Sequence, residues 1–393
     1  MFFRPKTTLC REGWYYLAIM IVVFGGAMLK EVNLLLILAG MLLGPLLLNW
    51  QTVRVNLRGL KTKRKLPRGL CAGEPLSVNL VLTNTRPRLG CWGVVVEEQI
   101  RRETDAGRAS PPLRPNVLFP YVHTGQSRKG VYRGQLVERG RYRFGPLNLS
   151  TRFPFGLFSR TIRVGESETL IVLPRLGRLT EGWATRRQEA FAGTDRRRRR
   201  PGPEGDFYGV REWRGGDARR LIHWRSSARL DKLVVRQFER PRSRDVAVLL
   251  NLWRPKSSGV VSLENVELAV SFAATVLADV CRQGGSNVSL GLTNAEPECV
   301  GGPASPATLQ RLMEQLATVE AHADNTLLPL LACALRQIDV GAEIVLVSTQ
   351  PIDLADAEEF ASLWSELAMH DRIRRIRCID TSSEQLSEYF QAE

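Results

Sequence analysis

From Gly205 to Glu239 the chain reads GDFYGVREWRGGDARRLIHWRSSARLDKLVVRQFE, and residue types capable of chemistry are densest here. Asp206, Glu212 and Asp217 are available carboxylates for Arg211, Arg219, Arg220, Arg225 and Arg229. A planar guanidinium bonds a carboxylate through two parallel N–H donors and stacks on rings such as those of Trp213 and Trp224. Such a string makes either a buried ion-pair network that fixes one arrangement, or a surface that takes an anion or a protein partner. His223 beside Ser226 and Ser227 offers a base next to hydroxyls, but no oxyanion signature accompanies them, so nucleophilic catalysis is not expected. The histidines, at 123, 223, 322 and 370, lack ligand spacing, and neither Gly-x-Gly-x-x-Gly nor Gly-x-x-x-x-Gly-Lys-Ser/Thr occurs. Just upstream, Arg196 to Arg200 followed by Pro201-Gly202-Pro203 reads as an exposed strap, because adjacent like charges repel and stay in solvent.

The elements that must position these residues change character along the chain. Trp14 to Leu29 and Val32 to Leu48 are almost wholly apolar. At 1.5 Å per residue each run reaches about 24 to 26 Å, enough to cross a bilayer core of roughly 30 Å with local thinning. Arg4, Lys6 and Arg11 precede the pair, and Arg54, Arg58, Lys61, Lys63, Arg64, Lys65 and Arg68 follow it. Positive charge on both outer flanks predicts a hairpin with both ends in the cytoplasm, and the stretch 54–68 reads as a juxtamembrane segment drawn to anionic lipid. A cleaved signal peptide would hardly be followed at once by a second such run. A hairpin buried in a soluble protein is disfavoured because neither run shows a polar face.

After the hairpin the period becomes two. Leu76, Val78, Leu80 and Leu82 point one way, and further short runs at 92–100, 116–122, 130–138, 141–149, 158–164 and 168–173 are parted by Gly, Pro and Asn. This predicts a small antiparallel β-sandwich, with the aromatics of RGRYRFGP and FPFGLF, from Arg139 to Phe158, filling its core. From 245 the pattern alternates again: strands at 246–250, 288–292, 343–347 and 373–379, with helices at 266–280, 307–319, 327–337 and 355–369, predict a parallel sheet covered on both faces. The expected division is a two-helix anchor at 1–53, a sandwich at 54–175, the Arg-rich segment at 176–244 and a doubly wound α/β domain at 245–393. Seven cysteines without a Cys-x-x-Cys pair fit small buried thiols in a reducing compartment.

The string GGDARRLIHWRSSAR, with REW before it and LVVRQFE after it, resembles the signature of the bacterial "domain of unknown function 58" family. RGRYRFGPLNLSTRFPFGLFSR is similar to that family's preceding region, and the two apolar runs to its usual layout. Trp213 stands where the family tends to have Tyr, and His223 where Asp is frequent. The resemblance implies a von Willebrand factor A-like C-terminal domain and a non-enzymatic role beside a MoxR-type AAA+ ATPase. Domains of that type hold magnesium with Asp-x-Ser-x-Ser at the end of the first strand. Here the corresponding residues are Asn251-Leu-Trp253-Arg-Pro255, with Thr326 in the distant threonine position and Ser348-Thr349 where a later aspartate would lie. Neutral groups make a poor magnesium site, so no metal or cofactor is expected, and Trp253 reads as an exposed or interface aromatic at the sheet's crevice.

Charge separates two function classes. The 393 residues carry a net +15, yet residues 1–244 hold 46 basic and 19 acidic residues against 9 and 21 in 245–393. The basic half coincides with the juxtamembrane and signature segments, which argues against general nucleic-acid binding. The expected function is a membrane-anchored cytoplasmic adaptor presenting its last domain to a protein partner. A binder of nucleic acid or another anionic polymer through the Arg-rich segment is the alternative, and it requires affinity that falls with salt.

Overall fold

Two apolar helices open the chain: α1 (Arg11–Lys30) and α2 (Asn33–Asn56). Both are long and apolar enough to cross a membrane, and only 11% of each apolar window is buried by the protein. The Tyr16 hydroxyl donates to the Leu42 carbonyl at 2.8 Å, tying one helix to the other. The computed structural model describes residues 5–30, 33–103, 111–185, 201–215, 217–239, 245–254, 260–293, 298–323, 327–354, 372–382 and 385–392. The chain divides into two compact units, Met1–Leu173 and Pro174–Glu393.

The first unit adds to the helices the strands β1 (Lys6–Leu9), β2 (Leu60–Lys65), β3 (Pro75–Asn84), β4 (Cys91–Glu97), β5 (Ile100–Glu103), β6 (Asn116–Val122), β7 (Ser127–Gln135), β8 (Gly140–Phe144), β9 (Leu147–Thr151), β10 (Phe158–Val164) and β11 (Glu168–Val172). They form sheets in the orders β1-β10-β9-β4-β6, β2-β3-β7 and β11-β8-β5, with antiparallel neighbours throughout. Leu76, Val78, Leu80 and Leu82 alternate inward along β3 as period two requires, and share one core with Val94, Val96, Phe144 and Leu149.

Three expectations for this unit need correction. The run 141–149 is two strands, because Gly145-Pro146 breaks the ladder between β8 and β9. Phe144 and Tyr142 fill the core, but Phe153 and Phe155 stay exposed. The basic stretch 54–68 is not uniformly free for lipid, since the Arg64 side chain is 2% exposed.

The second unit contains β12 (Arg178–Leu179), β13 (Pro201–Glu212), α3 (Trp224–Leu230), β14 (Val234–Glu239), β15 (Val246–Asn251), α4 (Val260–Gln283), β16 (Asn287–Leu292), β17 (Glu298–Pro303), α5 (Pro306–Thr318), α6 (Leu327–Gln337), β18 (Glu343–Ser348), β19 (Arg377–Asp380), α7 (Gln385–Tyr389) and β20 (Phe390–Gln391). Its main sheet runs β17-β16-β15-β18-β19. The β15–β16, β15–β18 and β18–β19 pairs are parallel, while β17 adds antiparallel to β16, an edge that the expected all-parallel sheet lacks. All six residues of β15 are buried, as a central strand covered on both faces demands. Ala247 and Leu249 pack with Leu327, Leu330 and Leu331 of α6, and α4 lies against β15, β16 and β18. Ser305 caps α5 by accepting the Thr308 N–H at 3.2 Å, with Pro306 in the first turn. β13 pairs with β14 and β12 with β20. The expected helix at 355–369 and the strap residues Arg196–Arg200 lie outside the described residues; Pro201-Gly202-Pro203 opens β13 instead of extending a strap.

Candidate functional site

The β13–β14 hairpin sets the frame of the arginine signature. Glu212 pairs with Val234 and Arg211 with Val235, and the Trp213 N–H donates to the Leu233 carbonyl at 2.8 Å. The chain then turns. Arg211 Nη1 and Nη2 donate to Asp217 Oδ2 and Oδ1 at 2.7 and 2.6 Å, the bidentate geometry that suits guanidinium. Asp217 also accepts the Arg214 backbone N–H at 2.9 Å. These bonds, that from Arg211 first, hold the Asp217 carboxyl below the usual aspartate range and push the Arg211 guanidinium up.

A 3₁₀ turn at Arg219–Leu221 leads into α3, whose N-cap is His223: its Nδ1 accepts the Ser226 N–H at 3.2 Å. Buried Ser227 receives the Val234 N–H at 3.0 Å and donates to the His223 carbonyl at 3.1 Å. His223 and the two serines are therefore cap and clamp; no bond runs from either hydroxyl to the imidazole. Asp231, at φ 52°, ends α3 in the left-handed region and returns the chain to β14.

Within this frame the pairing is sparse. Glu212 pairs with Lys232 at 3.1 Å in the open, and no acidic group faces Arg219, Arg220, Arg225 or Arg229 among the described residues; all four are exposed. Neither Trp213 nor Trp224 carries a guanidinium on its ring among them, and Trp224 is 67% exposed. Asp206 contributes only backbone to the described structure. The Arg211–Asp217 pair holds a turn, while Arg219, Arg220, Arg225 and Arg229 meet no carboxylate among the described residues, and Trp224, Leu230 and Leu233 of the same segment are also exposed. The two leucines escape sequence reading because charged neighbours hide them.

At the carboxyl end of β15, buried Asn251 donates from its amide to the Ser348 hydroxyl at 3.3 Å. The Thr349 hydroxyl donates to the Trp253 carbonyl at 2.7 Å, and the Trp253 indole N–H to the Ala323 carbonyl at 3.1 Å. Trp253 is thus a half-buried brace between β15 and the segment at His322. Thr326 lies outside the described residues. The groups present are neutral and already bonded to one another, so they do not fit a divalent cation. Beside them a cleft of about 240 Å³ is lined by Ser348, Gln350, Ile352, Cys378 and Asp380. The Asp380 carboxylate is occupied by the Ser382 N–H and hydroxyl at 2.8 and 2.7 Å. Cys91 alone among the seven free thiols is fully buried, and Cys378 is exposed, against the expectation that all seven would be buried.

The first unit holds one buried polar cluster that sequence reasoning missed. Arg64 donates to Glu98 and to the Gly145 carbonyl, the latter at 3.1 Å, and the Tyr132 hydroxyl donates to the other Glu98 oxygen. Burial pushes the Glu98 carboxyl up, opposed by its bonds to Tyr132 and Arg64; burial and the Glu98 bond push the Tyr132 phenol up as well.

Residues 209–388 match the family described as "Protein of unknown function DUF58". An uncharacterised protein of Bacillus subtilis (strain 168), YeaD, is 24% identical over 230 residues, 58% of this chain and 54% of the relative, so the match spans about half the relative's length. The C-terminal domain of wzt is similar at 16% identity over 30% of this chain and 75% of its own, with a TM-score of 0.23. Spo0M, a sporulation control protein of Bacillus subtilis, is similar at 9% identity over 40% of this chain and 58% of its own, with a TM-score of 0.18. Likenesses of that size carry no argument about fold. α3, the main sheet and the β13–β14 hairpin from Gly209 onward fall inside the matched region, and over residues 209–388 this chain is similar to the DUF58 family.

Proposed function

We propose that the chain is a membrane-anchored, non-enzymatic adaptor that offers the arginine and tryptophan surface at 214–229 to an acidic protein partner. The observation that carries this reading is the combination of a fixed frame with exposed groups. Arg211–Asp217 and Ser227 hold the backbone, while Arg219, Arg220, Trp224, Arg225 and Arg229 stand in solvent. Arg and Trp are the side chains most enriched where protein interfaces concentrate their binding energy. The partner we favour is a MoxR-type AAA+ ATPase acting in assembly or maturation of other proteins, on the strength of the family resemblance.

The remaining parts support the same reading. Lys and Arg on both flanks of the helical pair favour a cytoplasmic position for the bulk of the chain, at an inner or plasma membrane. The order β17-β16-β15-β18-β19, antiparallel at β17, supports a von Willebrand factor A-like domain with a degenerate metal slot. Three small antiparallel sheets around one core support a sandwich-like first unit.

Pull-down of the full chain from solubilised membranes with the ATPase tests the reading. Wild type binds, and Trp224→Ala with Arg225→Glu weakens binding by at least about tenfold, since a central anchor contributes about 2 kcal/mol or more. No binding by wild type, or unchanged binding by the double variant, contradicts it. The same exposed arginines favour the anionic-polymer reading if DNA binds instead, with a logarithmic salt slope near −0.9 per phosphate contacted.

A further inference from the structure

The first unit exposes a second aromatic group that the adaptor surface does not use. The rings of Trp92 and Phe153 are stacked with centroids 5.7 Å apart, and Tyr121 lies 4.0 Å from Trp92. Trp92 is 47% exposed and Phe155 51%, an arrangement that leaves large apolar rings open to solvent on a folded β unit. Gly93 sits at φ 54°, in the left-handed region that favours glycine, directly beside Phe153.

Where these rings lie decides what covers them. The Asn56 side chain, at the end of α2, accepts the Trp92 N–H at 3.0 Å and donates to the Trp92 carbonyl at 2.5 Å. Asn49, one turn before Val53 on the same helix, accepts the Phe158 N–H at 2.9 Å. Cys10, at the start of α1, donates its N–H to the Leu157 carbonyl at 2.8 Å. The Trp92 strand and the loop 152–157 are thus fastened to the two helix ends that carry Trp14, Tyr15 and Trp50, all exposed. Trp and Tyr at such ends mark the membrane–water interface. Trp50 and Asn56 are about 9 Å apart along the helix axis. A headgroup layer adds about 5 to 8 Å beyond the hydrocarbon core on each side. Asn49, which holds Phe158, is level with Trp50, and Asn56, which holds Trp92, lies just past the headgroup layer, so the loop and the strand bracket that layer. Charge agrees: the Arg54 guanidinium lies 4.6 Å from the Trp50 ring centroid, and Arg58 and Arg152 are exposed nearby in the chain.

We propose that Trp92, Tyr121, Phe153 and Phe155 form an interfacial docking surface that seats the β-rich unit in the headgroup layer of the anionic bilayer crossed by α1 and α2. The proposal rests on the membrane-anchored reading above. It assigns the β unit a fixed seat on the lipid instead of a free position below it, with the aromatic rings among the glycerol and carbonyl groups and the arginines on lipid phosphates.

The test uses the full chain in nanodiscs of phosphatidylcholine and phosphatidylglycerol, with and without bromine on the upper acyl chain, read by tryptophan fluorescence. Wild type minus Trp92→Phe isolates Trp92; wild type minus the Trp14→Phe, Trp50→Phe double variant isolates the helix ends. The expected result is loss of intensity in brominated lipid for both components, with the Trp92 loss reduced by Phe155→Asp while the Trp14 and Trp50 loss persists. Quenching of Trp14 and Trp50 with Trp92 unquenched overturns the docking surface and leaves the anchor standing. Quenching of neither component overturns the membrane-anchored reading and the docking surface together. Trp92 quenching that is unchanged by Phe155→Asp removes Phe155 from the surface.

Discussion

Ser227 illustrates how little a residue type says before its bonds are known. Beside a histidine it looks like a nucleophile, yet its hydroxyl closes the return of β14 onto α3, bonded to the Val234 N–H and the His223 carbonyl. Ser227→Ala leaves a buried N–H unpaired and is expected to cost about 1–3 kcal/mol in denaturant titration, whereas Ser226→Ala, whose hydroxyl bonds nothing among the described residues, costs close to none. Asp217 carries a pH prediction. Its folded pKa is depressed, chiefly by Arg211, so its contribution is present above the unfolded value of about 3.9 and is lost as pH falls through the lower folded value. Asp217→Asn should remove that part of the acid limb, seen as protease sensitivity of the 213–217 turn already at neutral pH. Arg64 was illegible for a different reason. After Leu60, every residue of LKTKRK is charged or polar, and only pairing across from Leu80 puts Arg64 on the inward face. Glu98→Ala leaves the buried guanidinium with only the half-exposed Glu168 as a carboxylate partner, at 3.1 Å, and is expected to cost about 3 kcal/mol, while Arg64→Met with Glu98→Leu recovers most of that loss in the same titration.

Elements with strong periodicity were legible to within a few residues. The apolar run at 246–250 is the six-residue strand β15, and the spacing at 327–337 is α6. Several strands escaped, among them two rich in Gly and Pro. β17 is Glu-Cys-Val-Gly-Gly-Pro, whose glycines and proline read as a turn; it is held as a strand only by its ladder to β16. β13 opens on Pro-Gly-Pro and is likewise defined by its partner β14. Tertiary pairing overrode local preference in both. In the sheet core, Gly291 of β16 is closed in by Leu249 and Leu330, which a Cβ would meet at 2.6 and 3.1 Å. Gly291→Val overpacks this layer and is expected to cost about 1–3 kcal/mol, visible as a lowered melting temperature of the purified chain.

At the scale of the whole molecule, the net charge of +15 concealed a basic first 244 residues and an acidic remainder, and the structure shows that the basic part is not of one kind. Arg64 is buried in a core, Arg211 holds a turn, and Arg219, Arg220, Arg225 and Arg229 are exposed and uncompensated among the described residues. Composition predicted an anionic partner in general; burial narrows the candidates to the exposed arginines of the signature segment. The candidate site was therefore legible as a stretch of chain and illegible as a surface, because which arginines pair depends on the hairpin register at Glu212 and Val234. In-cell photo-crosslinking from a photoreactive residue placed at position 224 tests the central claim most directly. The account predicts one discrete protein adduct of an AAA+ ATPase, lost when Arg219, Arg220 and Arg225 are changed to Glu; an adduct-free chain, or crosslinks only to nucleic acid, would contradict it.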